Sequence, residues 1–301
     1  MKALVLAYST IGCTGLQAVL DHGFDVQAVI THTDDPAETQ WFESVAELAA
    51  SRSIPVHAPL DVNHPLWVET IRAMAPDVIF SFYYRNLVGP EILAIPPQGA
   101  LNLHGSMLPA YRGRCPLNWV LVNGEAETGV TLHYMVKKPD AGDIVSQKAF
   151  PIAENDTARD LHAKAVTTAQ TLLNEALPLV LAGTAPRIPQ DHARATVFPG
   201  RGQTDGEIDW NRPSETIRNL VRAVTRPYPG AFTHIGTRKI LVWSATVLEL
   251  SHDVRPGTIL DAAPLTVAAG RNALRIDSGQ SEDGVFMSGT QLASELRLVK
   301  G

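Results

Sequence analysis

Short continuous apolar runs alternate with stretches of helical spacing through the first 180 residues: KALVLAY then TGLQAVLDHG, VQAVITH then WFESVAELAASR, IPVHAPL then HPLWVETIRAMA, DVIFSFYY then PEILAI, and finally GALNLHG. Strands buried on both faces read as unbroken apolar runs, and helices cover those faces, so the alternation predicts a mostly parallel, doubly wound α/β sheet. TGVTLHYMV (128–136) and DIVSQKAFPI (143–152) predict a strand pair joined by the polar loop KKPDAG. DTARDLHAKAVTTAQTLLNEALPLVLAG predicts a long amphipathic helix, opened by an Asp or Thr cap and closed by Gly183.

The pattern then changes. TAPRIPQDHARATVFPGRGQT (184–204) is broken by prolines and glycines and sustains no apolar period, which places a linker in it. After the helical SETIRNLVRAVT come short runs separated by Gly, Pro and Asp (GAFTHIG, KILVWSATVLEL, GTILDAA, LTVAAG, ALRIDSG, VFMSG), the spacing of a small β-barrel. The expected organisation is a first domain at 1–190, a linker at 191–204 and a second domain at 205–301.

A chain of 301 residues, 45% hydrophobic and 19% charged, is long enough for two cores. No run approaches the roughly 20 apolar residues of a membrane span, and MKALVLAYST fits a first strand better than a signal peptide, so a cytoplasmic protein is expected. Cys13 and Cys115 are the only cysteines. They are too few for a disulfide framework and lack metal-site spacing, so no metal is expected. The net charge is −6, and residues 205–301 carry 11 basic and 11 acidic side chains. Residues 1–204 carry 14 basic and 20 acidic side chains, so neither part has the cationic surplus that a phosphate backbone demands, which counts against nucleic acid as a partner.

The first turn, STIGCTG, lacks GxGxxG spacing and offers little to a dinucleotide. His32, Asp34 and Asp35 read as a solvated loop cluster. Asn102 and His104 differ: residues two apart on a strand project to one side, here at the strand's C-terminal end, where open α/β sheets collect their ligands. On spacing alone, a polar strand end satisfied by neighbouring backbone is an equal reading. Arg112 and Arg114 read equally as surface cations and Asp140 as an ordinary turn residue.

Together, NLHGSMLPAYRGRCPLNW and the later TGVTLHYMVKKPDAGDIV resemble the formyltransferases that use 10-formyltetrahydrofolate: an Asn, a His two residues on, an S(L/M)LPxYRG turn, and an Asp in a D(A/T)GD loop. THTDDP, VNHPLWVE, APDVIFSFYYR, CPLNWVLVNGE and RAV…PYPGAF carry the resemblance nearly end to end. Within the family it is closest to the sugar-nucleotide members, namely the formyltransferase portion of bifunctional polymyxin-resistance enzymes that modify lipid A. Those act on UDP-4-amino-4-deoxy-L-arabinose. Their decarboxylase module is missing from a sequence ending at Gly301, so oxidative decarboxylation is expected to be absent. Whether the chain is free-standing or cut, with a separate or deleted decarboxylase partner, stays open.

The resemblance implies a Rossmann-like catalytic domain, an OB-like second domain, 10-formyltetrahydrofolate as formyl donor and a UDP-amino sugar as acceptor. It implies catalytic roles for Asn102, His104 and Asp140: Asn102 donating to the developing oxyanion, His104 acting as general acid, and Asp140 raising the pKa of His104. It places the folate against Asn86, Leu87, Val88, Arg114 and the run Val136, Lys137, Lys138, Pro139 and Asp140. Arg112, Arg201 and Arg222 are available for the diphosphate. Methionyl-tRNA formyltransferases carry a basic loop after the second strand, whereas residues 31–51 here hold five acids and no Lys or Arg. A formyltetrahydrofolate hydrolase is the other alternative.

Overall fold

The computed structural model describes residues 1–36, 40–282 and 284–300. Residues 37–39, within the acidic stretch, and Gly301, the end of the expected second domain, lie outside the described residues. The chain divides into two compact units. Unit 1 is Met1–Pro116, Glu127–Pro151 and His162–Pro199; unit 2 is Leu117–Ala126, Ile152–Leu161 and Gly200–Gly301.

In chain order the elements are β1 (Lys2–Ala7), α1 (Ser9–Asp21), β2 (Asp25–Ile30), α2 (Val45–Ser51), β3 (Val56–His57), α3 (Pro65–Met74), β4 (Val78–Phe82), α4 (Pro90–Leu93), β5 (Ala100–His104), β6 (Arg112–Gly113), α5 (Pro116–Val122), β7 (Glu127–Tyr134), β8 (Ile144–Pro151), α6 (Ala158–Leu181) and β9 (Val197–Phe198). Unit 2 continues with α7 (Ser214–Val224), β10 (Ala231–Ile235), β11 (Arg238–Leu248), β12 (Ile259–Ala262), β13 (Leu265–Ala268), β14 (Ala273–Ser281), β15 (Met287–Ser288) and α8 (Gly289–Glu295).

Among the described residues, unit 1 is built on a sheet in the order β3-β2-β1-β4-β5-β7-β8. The first five strands of that order are parallel, and β7 and β8 run antiparallel. The apolar runs are the buried centre: β4 is buried throughout, and Leu4, Leu6, Ile30, Ile79 and Ile92 share one core. Unit 2 is an antiparallel sheet, β10-β11-β14-β13-β12, with β15 against β14. The expected fold class, a Rossmann-like sheet followed by an antiparallel β domain, is the one observed.

Three segments depart from simple expectation. STIGCTG is no turn: Ser9, with φ 61, carries the chain straight from β1 into α1. Gly12 and Gly15 serve close packing there, since a Cβ on Gly15 would sit 2.3 Å from the Phe82 ring and one on Gly12 2.9 Å from Val45. The predicted long helix forms with the Thr157 hydroxyl and Asp160 carboxylate capping reciprocally, and Gly183 (φ 69) closes it. The Pro-rich segment after it is structured. Ile188 bridges Ile144, β9 pairs in parallel with β6, and the Tyr111 and Phe198 rings stack at 4.8 Å.

Unit 2 has its own internal ties. Asn118 donates to the Ala223 carbonyl (2.7 Å), Arg201 lies over the Trp119 ring at 4.5 Å, and Arg218 donates to the Glu154 carbonyl (2.9 Å) and to Asn155 (2.7 Å). α7 and the segment at Arg201 are therefore joined to the short excursions Leu117–Ala126 and Ile152–Leu161.

Candidate active site

The register between β5 and β7 pairs Asn102 with His133 and His104 with Thr131. Directly opposed residues share a face, as do residues two apart, so these four side chains rise from one side of the sheet. The site therefore forms where the parallel strands give way to an antiparallel one. Thr131 pins the following turn: its hydroxyl donates to the Ser106 carbonyl (2.7 Å) and accepts from the Leu108 N–H (3.2 Å) and Gln147 (2.8 Å).

Asp140 reaches the same face from the loop after β7. Its Oδ1 lies 3.6 Å from His104 Nδ1 and 3.6 Å from His133 Nε2, and its Oδ2 accepts the Gly113 N–H at 2.8 Å. Tyr83, Tyr111 and Asp140 all hold positive φ (58, 60 and 53). Such backbone in residues other than glycine is costly and is held only where neighbours over-determine it.

Each imidazole has one nitrogen on a backbone carbonyl, which fixes that nitrogen as a donor. His104 Nε2 donates to the Tyr111 carbonyl at 2.7 Å, which leaves Nδ1 turned toward Asp140. His133 Nδ1 donates to the Tyr134 carbonyl at 2.9 Å, and its Nε2 lies 3.2 Å from Asn102 Nδ2. That contact fixes the orientation of the Asn102 amide.

His104 is 6% exposed, and burial holds its pKa below the ordinary histidine value despite the upward pull of Asp140 and of the Tyr111 carbonyl. The upward pull expected of Asp140 acts at 3.6 Å without a hydrogen bond, and the cost of charging a buried ring exceeds it. Burial pushes the Asp140 carboxyl up, but His104, His133 and the Gly113 N–H together hold it well below the usual carboxylate range. The carboxylate thus stands beside an imidazole whose second nitrogen faces it. The pair can take up one proton and stabilise the resulting cation.

The loop after β4 is clamped by Asn63, whose amide donates to the Leu87 carbonyl (2.9 Å) and accepts from the Gly89 N–H (2.5 Å). Asn86 is exposed, Leu87 is 71% exposed, and Val88 is buried in the core. Val136, Lys137, Lys138 and Pro139 are exposed, as is Arg114, whose backbone N–H bonds the Phe198 carbonyl. His32 stacks on Tyr84 at 4.3 Å and accepts the Arg85 N–H, and Asp34 accepts the Tyr8 hydroxyl at 2.7 Å. His32 and Asp34 are thus built into structure rather than left to solvent.

Of the three cations expected near a diphosphate, Arg112 is ruled out. It is 1% exposed, with its guanidinium on Gln190 Oε1 (3.2 and 2.5 Å) and His192 Nδ1 (2.9 Å). Arg222 binds Asn219 and the carbonyls of Ala153, Glu154 and Asp156, and Arg201 donates to the Asp205 carbonyl. A cavity of about 460 Å³ lies elsewhere in unit 1, lined by Arg72, Asp77 and Glu91, and has no share in this cluster. No cluster of three or more His, Cys, Asp or Glu arranged for a metal occurs among the described residues. Sequence reasoning did not find His133 or Gln190. The alternation in TLHY was a usable signal for His133, but only with the β5–β7 register in hand.

The family model described as formyl transferase matches residues 3–177, and that of the formyl transferase C-terminal domain matches residues 202–297. Among solved structures, the chain is similar to an N-formyltransferase from Helicobacter canadensis in complex with folinic acid and dTDP-3-aminofucose (TM-score 0.70, 21% identity, covering 92% of this chain and 99% of that one). It is similar to WlaRD, a sugar 3N-formyltransferase, in the presence of dTDP and 5-N-formyl-THF (TM-score 0.69, 20% identity, 95% and 99%). It also resembles methionyl-tRNA formyltransferase from Clostridium thermocellum (TM-score 0.57, 16% identity, 83% and 95%).

Proposed function

The chain belongs to the formyl transferase family, and from that premise we propose that it moves the formyl group of 10-formyltetrahydrofolate to the 4-amino group of UDP-4-amino-4-deoxy-L-arabinose. The observation that carries the reading is the gathering of Asn102, His104 and Asp140 on one sheet face, with His104 and Asp140 3.6 Å apart. Leu87 and Val136, large apolar side chains left 71% and 46% exposed on two loops, offer surface of the kind a flat pterin ring covers. The acidic, Lys- and Arg-free stretch 31–51 disfavours a tRNA acceptor.

The amine attacks the formyl carbon, the new C–N bond forms, and the carbonyl oxygen gathers negative charge. The Asn102 amide, oriented by His133, donates to that oxygen; loss of one such donor typically costs about 3 kcal/mol. Neutral His104 accepts the amine proton at Nδ1, becomes an imidazolium paired with Asp140, and returns the proton to N10 as the C–N10 bond breaks. The products are the formamido sugar and tetrahydrofolate. No charge is created without a partner.

The test is competition. With 10-formyltetrahydrofolate and an equimolar mixture of UDP- and dTDP-linked amino sugars and methionyl-tRNA, mass spectrometry is expected to find the formamido product chiefly on UDP-4-amino-4-deoxy-L-arabinose. Formylation only of a dTDP-sugar, of methionyl-tRNA or of water would overturn the acceptor assignment.

A further inference from the structure

We propose that Gln190, in the segment that reads as a linker, is a positioning residue for formyl transfer: its amide holds the backbone of the Asp140 loop so that the carboxylate stays against Gly113 and the two imidazoles. The inference rests on the functional reading above, in that Asp140 is taken to stabilise the charged form of His104.

The geometry is specific. Gln190 is 6% exposed, and each half of its side chain is used twice. Nε2 donates to the Asp140 carbonyl (2.9 Å) and the Gly142 carbonyl (2.6 Å), and Oε1 accepts from Arg112 Nε (3.2 Å) and Nη2 (2.5 Å). An uncharged amide with two donors and a doubly accepting oxygen meets both demands; a carboxylate meets only the second. The two loops joined in this way are the two that must coincide: Arg112 adjoins Gly113, whose N–H binds Asp140 Oδ2 at 2.8 Å, and Asp140 holds its positive φ between these contacts. Neighbouring residues of the same segment fix the other partner of His104. The Tyr111 N–H bonds Thr196 Oγ1 at 2.8 Å and the Arg112 N–H bonds the Thr196 carbonyl, setting the carbonyl that receives the His104 proton. Small displacements of such groups cost about 100-fold in rate.

Gln190→Glu in the full chain isolates the donor half, because it keeps an acceptor for Arg112 and sets an oxygen against two carbonyls. The expected result is kcat at least about ten-fold lower, with KM for formyl donor and amino sugar within about two-fold of wild type. A second readout needs no turnover: amide hydrogen exchange at Gly113. Its protection is expected to fall about ten-fold in the variant, while the Arg114 amide, bonded to the Phe198 carbonyl in the same turn, stays protected. Gln190→Met, which removes both halves without adding charge, is read in the same way if the Glu variant does not fold. Unchanged kcat, or lost kcat with Gly113 protection intact, overturns the proposal. A wild-type chain that formylates no amino sugar overturns the functional reading instead, and the Gly113 measurement still decides whether Gln190 holds the loop.

Discussion

Replacing Asp140 with asparagine preserves the shape of the side chain and removes its charge. The backbone tolerates the change, because asparagine accepts the positive φ of 53 found there and its carbonyl oxygen can still receive the Gly113 N–H. What disappears is the attraction between the carboxylate and the imidazolium that His104 becomes. At 3.6 Å, with an effective dielectric constant of about 20, that attraction is on the order of 5 kcal/mol. Residual hydration takes up part of it, so the expected fall in kcat is about 100- to 10,000-fold, the range spanned by acid–base catalysis. KM for either substrate should move little. Steady-state kinetics with the formyl donor and amino sugar measure both, at a temperature where circular dichroism shows the variant folded. His104→Ala should be comparably slow, and because both side chains serve one proton transfer, the double variant should be little worse than the worse single one. Independent, multiplying losses would refute the pairing, and so would Asp140→Asn turning over within about three-fold of wild type.

Gly15→Ala should destabilise unit 1 by about 1–3 kcal/mol, because the new Cβ would fall 2.3–2.8 Å from three Phe82 ring atoms; an unchanged urea midpoint would contradict this packing. Burial lowers the pKa of His162 and, more than the nearby Arg85 does, that of His32, each to about 4. A lowered folded-state pKa means that the unfolded chain takes up protons the folded chain refuses, so stability should drop as pH falls from about 6.5 toward 4. For His162, 9% exposed, the contribution is on the order of 3 kcal/mol. Urea midpoints at pH 7 and 4.5 should therefore converge in His162→Phe relative to wild type, and an equal pH dependence in both would sink the assignment.

Much of unit 1 was legible because its signals are local. A run as short as DVIFSF reads as a doubly buried strand, and the spacing of Asn102 and His104 already puts both on one side of β5. The residues that escaped are those whose partners come from elsewhere in the chain. His133 joins the site through a strand register that no single window encodes, and Gln190 through bonds to residues 48 to 78 positions away. Gly12 and Gly15 read as a loop because glycine marks turns, but here they let a helix press against Val45 and the Phe82 ring. Arg112 read as a surface cation because arginine usually is one; only its buried partners reveal a structural role. The resemblance supplied Asp140, which spacing alone left as an ordinary turn residue.

The interleaving of the two units also constrains how such proteins recombine. A single crossover near Gly200 would bring in a foreign β domain but leave behind Leu117–Ala126 and Ile152–Leu161, which belong with it. Asn118, Trp119, Glu154 and Asn155, left behind, would lose the Ala223 carbonyl, Arg201 and Arg218 and face another lineage's side chains. A functional chimera must therefore be assembled from three exchanged pieces, and lineages in this fold should trade their C-terminal segments far less readily than proteins whose domains are strung end to end.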